Sequence, residues 1–321
     1  RRPCRIGHTG FDDRNRYRNC ANRLSLLAKP SKALSMKRVS QYITNLFLRG
    51  LIGLALSLPY ATRVRLMGWL VQNIVSPLAG YPKRIRANLA HVLPDLNDQD
   101  VAQLCKDVPN NAGRTLIELY SGEDFVARAT QSKITGPGYT ALERARAEGR
   151  PVILVTGHFG NYDVSRAALI AKGHNMGALY RRMSNPYFNE HYVKSISTIG
   201  TPMFEQGRKG MSQMVRHIKS GGVLGILTDL HAYGGSKLNF FGKPAVTSLI
   251  TAELALKYNA ALIPIYAIRQ ENGLDFKITV QAEIPHSDAE TMTQAVNDGL
   301  EALIRENMHQ WFWIHRRWKN T

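Results

Sequence analysis

The segment VTGHFGNYD, residues 155–163, places His158 five positions before Asp163 and between two glycines. A histidine can take a proton from a hydroxyl, and a carboxylate on its other ring nitrogen fixes the tautomer and stabilises the imidazolium. No Ser or Cys in a nucleophile-elbow pattern such as GxSxG stands nearby. The spacing therefore predicts general-base catalysis without a nucleophile from the protein, with Asp163 bound to the imidazole.

Local geometry limits how this pair can meet. Five residues along an ideal helix turn a side chain by about 500°, so His158 and Asp163 cannot share a helical face. The pair works if His158 lies in a strand-to-helix turn and Asp163 lies inside the helix and reaches back. By itself the spacing favours an alternative, in which Asp163 only caps a helix beside a structural histidine.

The elements around the pair alternate between helix and strand. A short charged helix (141–150) precedes the continuous apolar run PVILV, which ends in glycines. The same order of helix, Gly or Asn turn and apolar strand recurs in residues 214–229 and 251–269. Residues 276–285 add a strand, and residues 293–313 a closing amphipathic helix. The pattern predicts an α/β fold with a largely parallel central sheet flanked by helices.

Two apolar stretches precede this region, and a helical lead-in over residues 83–131 separates them from it. Residues 42–58 are interrupted by Asn45 and Arg49 and are shorter than the roughly 20 residues of a membrane span. Residues 64–80 combine a tryptophan with nearby arginines, which suits the headgroup boundary. We expect both stretches to lie on or dip into a membrane. The alternative is that both are buried helices of a soluble domain.

Residues 1–35 are rich in arginine, lack an initiator methionine and show no sustained apolar periodicity. Met36 and the residues after it read like the natural start of a protein. We expect residues 1–35 to be an upstream or disordered extension, with a targeting segment as the alternative. A cleavable signal peptide is disfavoured, because no apolar region and cleavage site follow in the usual order.

The composition favours anionic partners. The chain of 321 residues carries 42 Lys and Arg against 24 acidic residues, a formal charge of +18. Nucleic acid, acidic lipid headgroups and an acidic carrier protein all fit this charge. Three cysteines provide neither a disulfide framework nor a zinc site, which indicates a reducing compartment. The histidines do not show HExxH or another metal-ligand spacing, so no metal is expected.

Several separated motifs together resemble one family. RIRANLAHVLPDL precedes the histidine motif, and LYRRMSNPYFNEHY, SGGVLGILTD, LNFFGKPAVT and WFWIHRRWK follow it. This order is similar to that of the lipid A biosynthesis acyltransferases, which add late acyl chains and belong to the lysophospholipid acyltransferase superfamily. The resemblance runs from about Met36 to the C-terminus. It implies a membrane-associated segment over residues 36–80 and an acyltransferase domain over residues 81–321.

The resemblance also implies roles for individual residues. His158 and Asp163 fall on the family's catalytic motif as base and orienting acid. Six further residues are expected to bind substrate: Gly157, Asn161, Arg181, Asp229, Phe241 and Gly242. Arg181 would hold a phosphate or the thioester oxygen in the cleft, and Phe241 would line an acyl channel with Phe240. Leu230 and His231 depart from the family, which usually has Gln after the acidic residue at position 229.

The implied reaction moves an acyl chain from an acyl carrier protein thioester to a hydroxyl of a lipid A precursor of the Kdo-lipid IVA type, without a cofactor. It would take place at the cytoplasmic face of the bacterial inner membrane. The expected partners are the acyl carrier protein, an anionic glycolipid acceptor and the membrane surface, and not nucleic acid. The basic aromatic cluster HRRWK, residues 315–319, would contact lipid headgroups.

Three alternatives remain. The first is an acyltransferase of the same superfamily that acts on a glycerophospholipid, an ornithine lipid or a phosphoinositide mannoside. The glycerophosphate branch is disfavoured, because no Phe-Pro-Glu-Gly-type motif follows His158. The second is a basic nucleic-acid-binding protein, although no RNP, KH, zinc-finger or helix-turn-helix pattern is found. The third is a membrane scaffold that has lost the reaction.

Overall fold

The computed structural model describes residues 32–319 of the chain. The expected extension, residues 1–35, falls almost entirely outside this range and stays a prediction. The chain divides into two units, Arg1–Phe47 and Leu48–Thr321. The boundaries predicted at residues 36 and 81 are likewise untested.

The first helix, α1, spans Lys32–Leu56. Its part Met36–Leu56, 21 residues, is long and apolar enough to cross a membrane, and 11% of its apolar window is buried. The prediction that this stretch is shorter than a span is therefore wrong, because the helix begins several residues before the apolar run. By its length and composition, Met36–Leu56 is a candidate membrane segment.

The helical lead-in predicted for residues 83–131 is confirmed. Helix α2 (Tyr60–Leu70) is continued by a π-helical segment, Val71–Val75, and a short turn, Ser76–Leu78. It packs closely on α4 (Asp98–Tyr120), because a Cβ on Gly113 would lie 2.4 Å from the Met67 carbonyl oxygen. The helices are α2 (Tyr60–Leu70), α3 (Tyr81–Val92), α4 (Asp98–Tyr120) and α5 (Gly122–Ala129).

The predicted central sheet is present and has seven strands. In chain order they are β1 (Lys133–Thr135), β2 (Val152–Thr156), β3 (Met176–Tyr180), β4 (Met203–Glu205), β5 (Val223–Leu227), β8 (Ala261–Arg269) and β9 (Phe276–Val280). Across the sheet the order is β1-β9-β8-β2-β5-β3-β4. All neighbours are parallel except β8 and β9. Strands β6 (Ser236–Phe240) and β7 (Lys243–Thr247) form a separate hairpin.

Helices cover the sheet, which explains why its central strands read as continuous apolar runs. All five residues of β2 are buried. The covering helices are α6 (Gly138–Ala147), α7 (Asp163–Ala171), α8 (Pro186–Ile199), α9 (Arg208–Lys219), α10 (Ile250–Tyr258) and α11 (Ala289–Glu306). The carboxyl ends of β2, β5 and β3 meet at one edge of the sheet.

The closing helix ends earlier than predicted. Helix α11 stops at Glu306 rather than continuing to residue 313, and a short 3₁₀ turn follows over Met308–Gln310. The next residues are extended, and Trp311 forms an antiparallel bridge with Phe159. Trp311 and Trp313 are buried to 1% and 0% exposure. Burial of these two large rings outweighs helix continuation.

Candidate active site

His158 and Asp229 form a hydrogen-bonded pair at the carboxyl ends of β2 and β5. The two strands are parallel neighbours, with Thr156 in register with Leu227, so each side chain lies just beyond the end of its strand. His158 Nδ1 lies 2.8 Å from Asp229 Oδ1, and the His158 backbone N–H donates to Asp229 Oδ2 at 2.7 Å. These contacts fix both the ring and the backbone of His158 against one carboxylate.

The Asp229 carboxylate is buried and receives a third hydrogen bond. Its side chain is 1% exposed, against 27% for His158. The Trp311 indole N–H donates to Oδ2 at 2.9 Å. Burial acts to raise the pKa of Asp229, but the His158 ring, the hydrogen bonds from His158 and the Trp311 indole together lower it below its ordinary value. Asp229 therefore stays ionised and favours the His158 tautomer with its proton on Nδ1, which leaves Nε2 free to accept a proton.

The predicted contact between Asp163 and His158 is wrong. Asp163 begins α7, and its Oδ1 accepts from Arg166 Nε at 2.7 Å. Arg166 is 2% exposed and also donates to the carbonyl oxygens of Ile196 and Gly200. One turn of helix brings Arg166 to the carboxylate, whereas the imidazole is already held by Asp229. Asp163 therefore fastens α7 to the end of α8 through Arg166.

Two cavities meet at His158. One, about 220 Å³, is bordered mainly by apolar groups of α4 and of the segment after α11, among them Val108, Ala112, Leu116, Leu119 and Phe312. The other, about 480 Å³, is bordered by the ends of β3 and β5 and by α7, among them Arg166, Tyr180, Arg181, Thr228 and His231. We call them the apolar cavity and the polar cavity. Of the lining residues, His158 and Tyr162 border both.

Arg181 lies where the sequence analysis expected it, beside the polar cavity with His158. It directly follows β3, and its side chain is exposed. Tyr162 was not singled out from the sequence. Its ring meets the His158 ring edge-on, with centroids 5.6 Å apart. An anionic group and a hydrocarbon chain could therefore occupy the two cavities on either side of one imidazole.

Gly157 and Asn161 lie next to the site and contact the groups that hold it in place. A Cβ on Gly157 would lie 3.1 Å from Asp229 Oδ2, so glycine allows the carboxylate to approach the backbone. Asn161 is fully buried, donates to Glu118 at 2.8 Å and accepts from the Asp163 N–H at 3.0 Å. Neither residue borders the two cavities. The expectation that they bind substrate is replaced by a positioning role.

Phe241 and Gly242 do not border either cavity. They form the turn of the β6–β7 hairpin, with positive φ angles of 57° and 71°. Phe241 is 3% exposed and packs against Trp313, with ring centroids 5.4 Å apart. Its N–H donates to the Glu301 carboxylate. The structure therefore places Phe241 in an aromatic core rather than beside an acyl channel, and Gly242 lies exposed in the turn.

The C-terminal segment completes the site, and the sequence analysis missed this. Besides Trp311, it contributes the backbone N–H of Phe312, which donates to the His158 carbonyl oxygen at 3.0 Å. Asn88 holds the segment by donating to the carbonyl oxygens of Trp313 and His315. The run of aromatic residues WFW was the available signal, because such residues close to a chain end need a core to pack on.

The expectation that HRRWK contacts lipid headgroups is wrong for Arg317. Arg317 is 0% exposed and donates to Val246 O and Thr247 Oγ1 of the hairpin. His315 Nε2 accepts from the His231 backbone N–H at 2.9 Å. These contacts tie the segment to the loop that carries Asp229.

A buried ion pair holds the glycine turn after His158. Arg269 binds Glu118 through two bonds of 2.6 and 2.8 Å, and Glu118 in turn accepts from Asn161. Thr115 donates to the Gly160 carbonyl oxygen at 2.8 Å. A Cβ on Gly160 would lie 2.0 Å from a backbone oxygen of β8, so only glycine fits this turn. Within residues 32–319, no group of three or more His, Cys, Asp and Glu could hold a metal ion.

Comparisons with known proteins point to acyltransferases. A model of the family described as bacterial lipid A biosynthesis acyltransferase matches residues 29–320. The chain is 23% identical over 277 residues to the lipid A biosynthesis lauroyltransferase of Escherichia coli (strain K12), covering 84% of this chain and 89% of that protein. It is 22% identical over 271 residues to the lipid A biosynthesis acyltransferase of Haemophilus influenzae, covering 80% and 81%. It is also 22% identical over 247 residues to the phosphatidylinositol mannoside acyltransferase of Mycobacterium tuberculosis (strain CDC 1551 / Oshkosh), covering 74% and 78%.

Proposed function

The chain belongs to the bacterial lipid A biosynthesis acyltransferase family, and we propose that it transfers a fatty acyl chain from an acyl carrier protein thioester to a hydroxyl of a lipid A precursor. The precursor is of the Kdo-lipid IVA type, and the reaction belongs to lipopolysaccharide biosynthesis. The observation that carries the proposal is the pair of His158 with the buried Asp229, at the point where the apolar and polar cavities meet.

In the proposed mechanism, His158 Nε2 takes the proton from the acceptor hydroxyl as its oxygen attacks the thioester carbon. The imidazolium that forms is stabilised by the Asp229 carboxylate on Nδ1. The tetrahedral intermediate then collapses, the carbon–sulfur bond breaks, and the proton on Nε2 passes to the departing thiolate. The products are the acylated lipid and the free thiol, and His158 is neutral again.

The cavities suggest how the substrates are placed. The side chains of Val108, Ala112, Leu116 and Leu119 would take the acyl chain out of water. Arg181 in the polar cavity would pair with a phosphate, since a guanidinium binds phosphate through two parallel hydrogen bonds. This arrangement leaves the thioester carbonyl beside His158 and Tyr162.

We place the enzyme at the cytoplasmic face of the inner membrane. Helix α1 includes the candidate membrane segment Met36–Leu56. Several large apolar side chains on α2, the π-helical segment and the turn Ser76–Leu78 are exposed, including Trp69 (53%) and Leu78 (84%). Exposed aromatic and aliphatic side chains of this kind favour the lipid interface.

A second acceptor has specific support. Phosphatidylinositol mannoside acyltransferases are similar to this chain over 74% of its length, at nearly the same identity as the lipid A enzymes. The same base and cavities would serve a mannose hydroxyl. Acceptor identity is therefore the first property to test.

The test is transfer of radiolabelled acyl chains from acyl carrier protein to a tetraacylated lipid A precursor or to phosphatidylinositol mannoside, assayed in parallel. We expect transfer to the lipid A precursor and a loss of about a hundredfold to ten-thousandfold in His158→Ala. Transfer to the mannoside alone would move the acceptor to the second candidate. An undiminished rate in a folded His158→Ala variant would refute the proposed base.

A further inference from the structure

Positively charged side chains cluster beside the polar cavity, where β3 and β4 end. The two strands pair in parallel, with Tyr180 in register with Glu205. Arg181 and Arg182 follow β3 directly, and the Gln206 N–H donates to the Tyr180 carbonyl oxygen at 2.8 Å. Helix α9 begins at Arg208. The start of α9 and the two arginines after β3 therefore share one edge of the sheet.

The cluster continues along the outer face of α9. Its exposed side chains are Arg208, Lys209, Ser212, Gln213, Arg216 and Lys219. The sequence from residue 206 to residue 228 contains no Asp or Glu. Glu205 is the acidic residue within the cluster, and its carboxylate already contacts Arg182 and the Tyr180 hydroxyl. We call Arg181, Arg182, Arg208, Lys209 and Arg216 the basic face.

The basic face suits a protein better than a lipid surface. An interfacial helix presents apolar side chains to the membrane. In α9 the apolar residues Met214 and Ile218 are buried at 0% exposure, and the outer face is polar and charged. A helix of 12 residues is about 18 Å long. Along this length the helix presents Arg208, Lys209 and Arg216 to solvent, a charge complementary to an acidic protein.

We propose that the basic face is the docking surface for the acidic carrier protein that presents the acyl thioester. Docking there would direct the carrier's phosphorylated arm into the polar cavity, because Arg181 and Gln206 border that cavity together with His158. The inference rests on the proposed function, since it assumes a carrier-bound donor. Complementary charge chiefly speeds encounter and selects the partner, so it acts before the chemical step.

The test is steady-state transfer by the full chain with charges reversed in Arg208→Glu/Lys209→Glu. Neither residue borders the cavities at His158. We expect the KM for acyl carrier protein thioester to rise about tenfold at low salt, with kcat unchanged. Transfer from an acyl-pantetheine thioester, which lacks the carrier protein, should keep its kcat/KM. Raising the salt concentration should bring the wild-type KM towards that of the variant.

The matched control is Lys133→Glu/Lys277→Glu, which reverses two exposed charges on neighbouring strands at the opposite edge of the sheet. It changes the net charge equally and should leave the KM for the carrier unchanged. Equal effects of the two double variants, or equal effects on both donors, would overturn the proposal. A loss of anionic-vesicle binding with no change in KM would assign the face to lipid instead. Failure of the wild type to use any carrier thioester, with transfer from acyl-pantetheine intact, would refute the donor in the proposed function.

Discussion

At the scale of single residues, the carboxylate that binds His158 is Asp229, whereas the sequence analysis predicted Asp163. Asp229 lies 71 positions from His158 and binds it through both the ring and the backbone. Asp163 is bonded to Arg166 instead. Both acidic residues therefore remain important, but for different reasons. Asp229 holds the His158 side chain in place, and Asp163 stabilises the helix that it begins.

We predict that Asp163→Asn lowers the free energy of unfolding by about 3 kcal/mol, since it leaves the Arg166 guanidinium buried without an opposite charge. Arg166 and Asp163 have side chains only 3% and 10% exposed. Denaturant unfolding of the variant measures this loss. Asp95→Asn, at an exposed carboxylate, is the control and should change the free energy by less than about 0.5 kcal/mol. Unchanged stability in Asp163→Asn would contradict the structural role.

The sequence could locate the histidine of the candidate site but not its carboxylate partner. His158 follows a buried apolar run and lies between Gly157 and Gly160, which is a local pattern. The pairing with Asp229 depends on β2 and β5 lying side by side, and strand order is not written in either segment. Asp229 was expected to bind substrate rather than His158, and Arg181, expected in the cleft, borders the polar cavity. Trp311 was missed because its contact comes from the far end of the chain.

At the scale of elements, the segment after α11 acts as a clamp. It bridges Phe159, donates to Asp229 and is held by Asn88 of α3. The sequence pattern predicted that the helix would continue through this segment. In the structure the helix ends before it, because Trp311 and Trp313 are buried in the core instead. Periodicity predicted most helices and the strands β2, β5, β8 and β9. The edge strands β1 and β4 have only three residues each, and β6 and β7 include exposed polar residues, so none of these four strands reads as a continuous apolar run.

One hydrogen bond of the clamp depends on the protonation state of His315. Burial, with a smaller contribution from nearby positive groups, lowers the pKa of His315 from 6.5 to about 4. Its Nε2 accepts a hydrogen bond from the His231 N–H, which only an unprotonated nitrogen can do. The titratable groups that face it are His158, Asp229, His231 and Arg317. Neutral His315 therefore belongs to the folded state.

We predict that the folded chain loses stability as the pH falls from 6.5 to about 4. Between these values the unfolded chain binds a proton at His315 that the folded chain does not, so lower pH favours unfolding by at most about 3 kcal/mol. The variant His315→Gln keeps an acceptor for the His231 N–H and does not titrate. Urea unfolding at several pH values should show a shallower slope for the variant. An identical slope would show that His315 does not carry this dependence.

At the scale of the whole molecule, the exposed apolar surface and the basic face are separate. The chain has no acidic residue between Asp13 and Asp95. Within the part of that stretch that belongs to the unit Leu48–Thr321, Leu66, Trp69, Ile74, Val75 and Leu78 are all exposed. Exposed apolar side chains among positive charges suit an anionic bilayer. The basic face on α9 lacks such apolar groups.

We predict that Trp69→Ser/Leu78→Ser weakens binding to anionic vesicles about tenfold or more, because two large side chains no longer leave water. Vesicle co-sedimentation of the full chain measures this change. The control, Tyr233→Ser/Leu256→Ser, removes exposed apolar groups elsewhere and should bind like the wild type. Equal losses in both variants would show that no particular surface contacts the membrane.

The central claim is that Asp229, and not Asp163, is the carboxylate partner of the general base. The most direct measurement is kcat for acyl transfer by purified, folded Asp229→Asn and Asp163→Asn under the same conditions. We expect Asp229→Asn to lose about a hundredfold or more, because the neutral amide no longer holds the reactive tautomer or stabilises the imidazolium. Asp163→Asn should keep kcat within about tenfold per folded molecule. The reverse order, with Asp163→Asn inactive and Asp229→Asn active, would contradict the account.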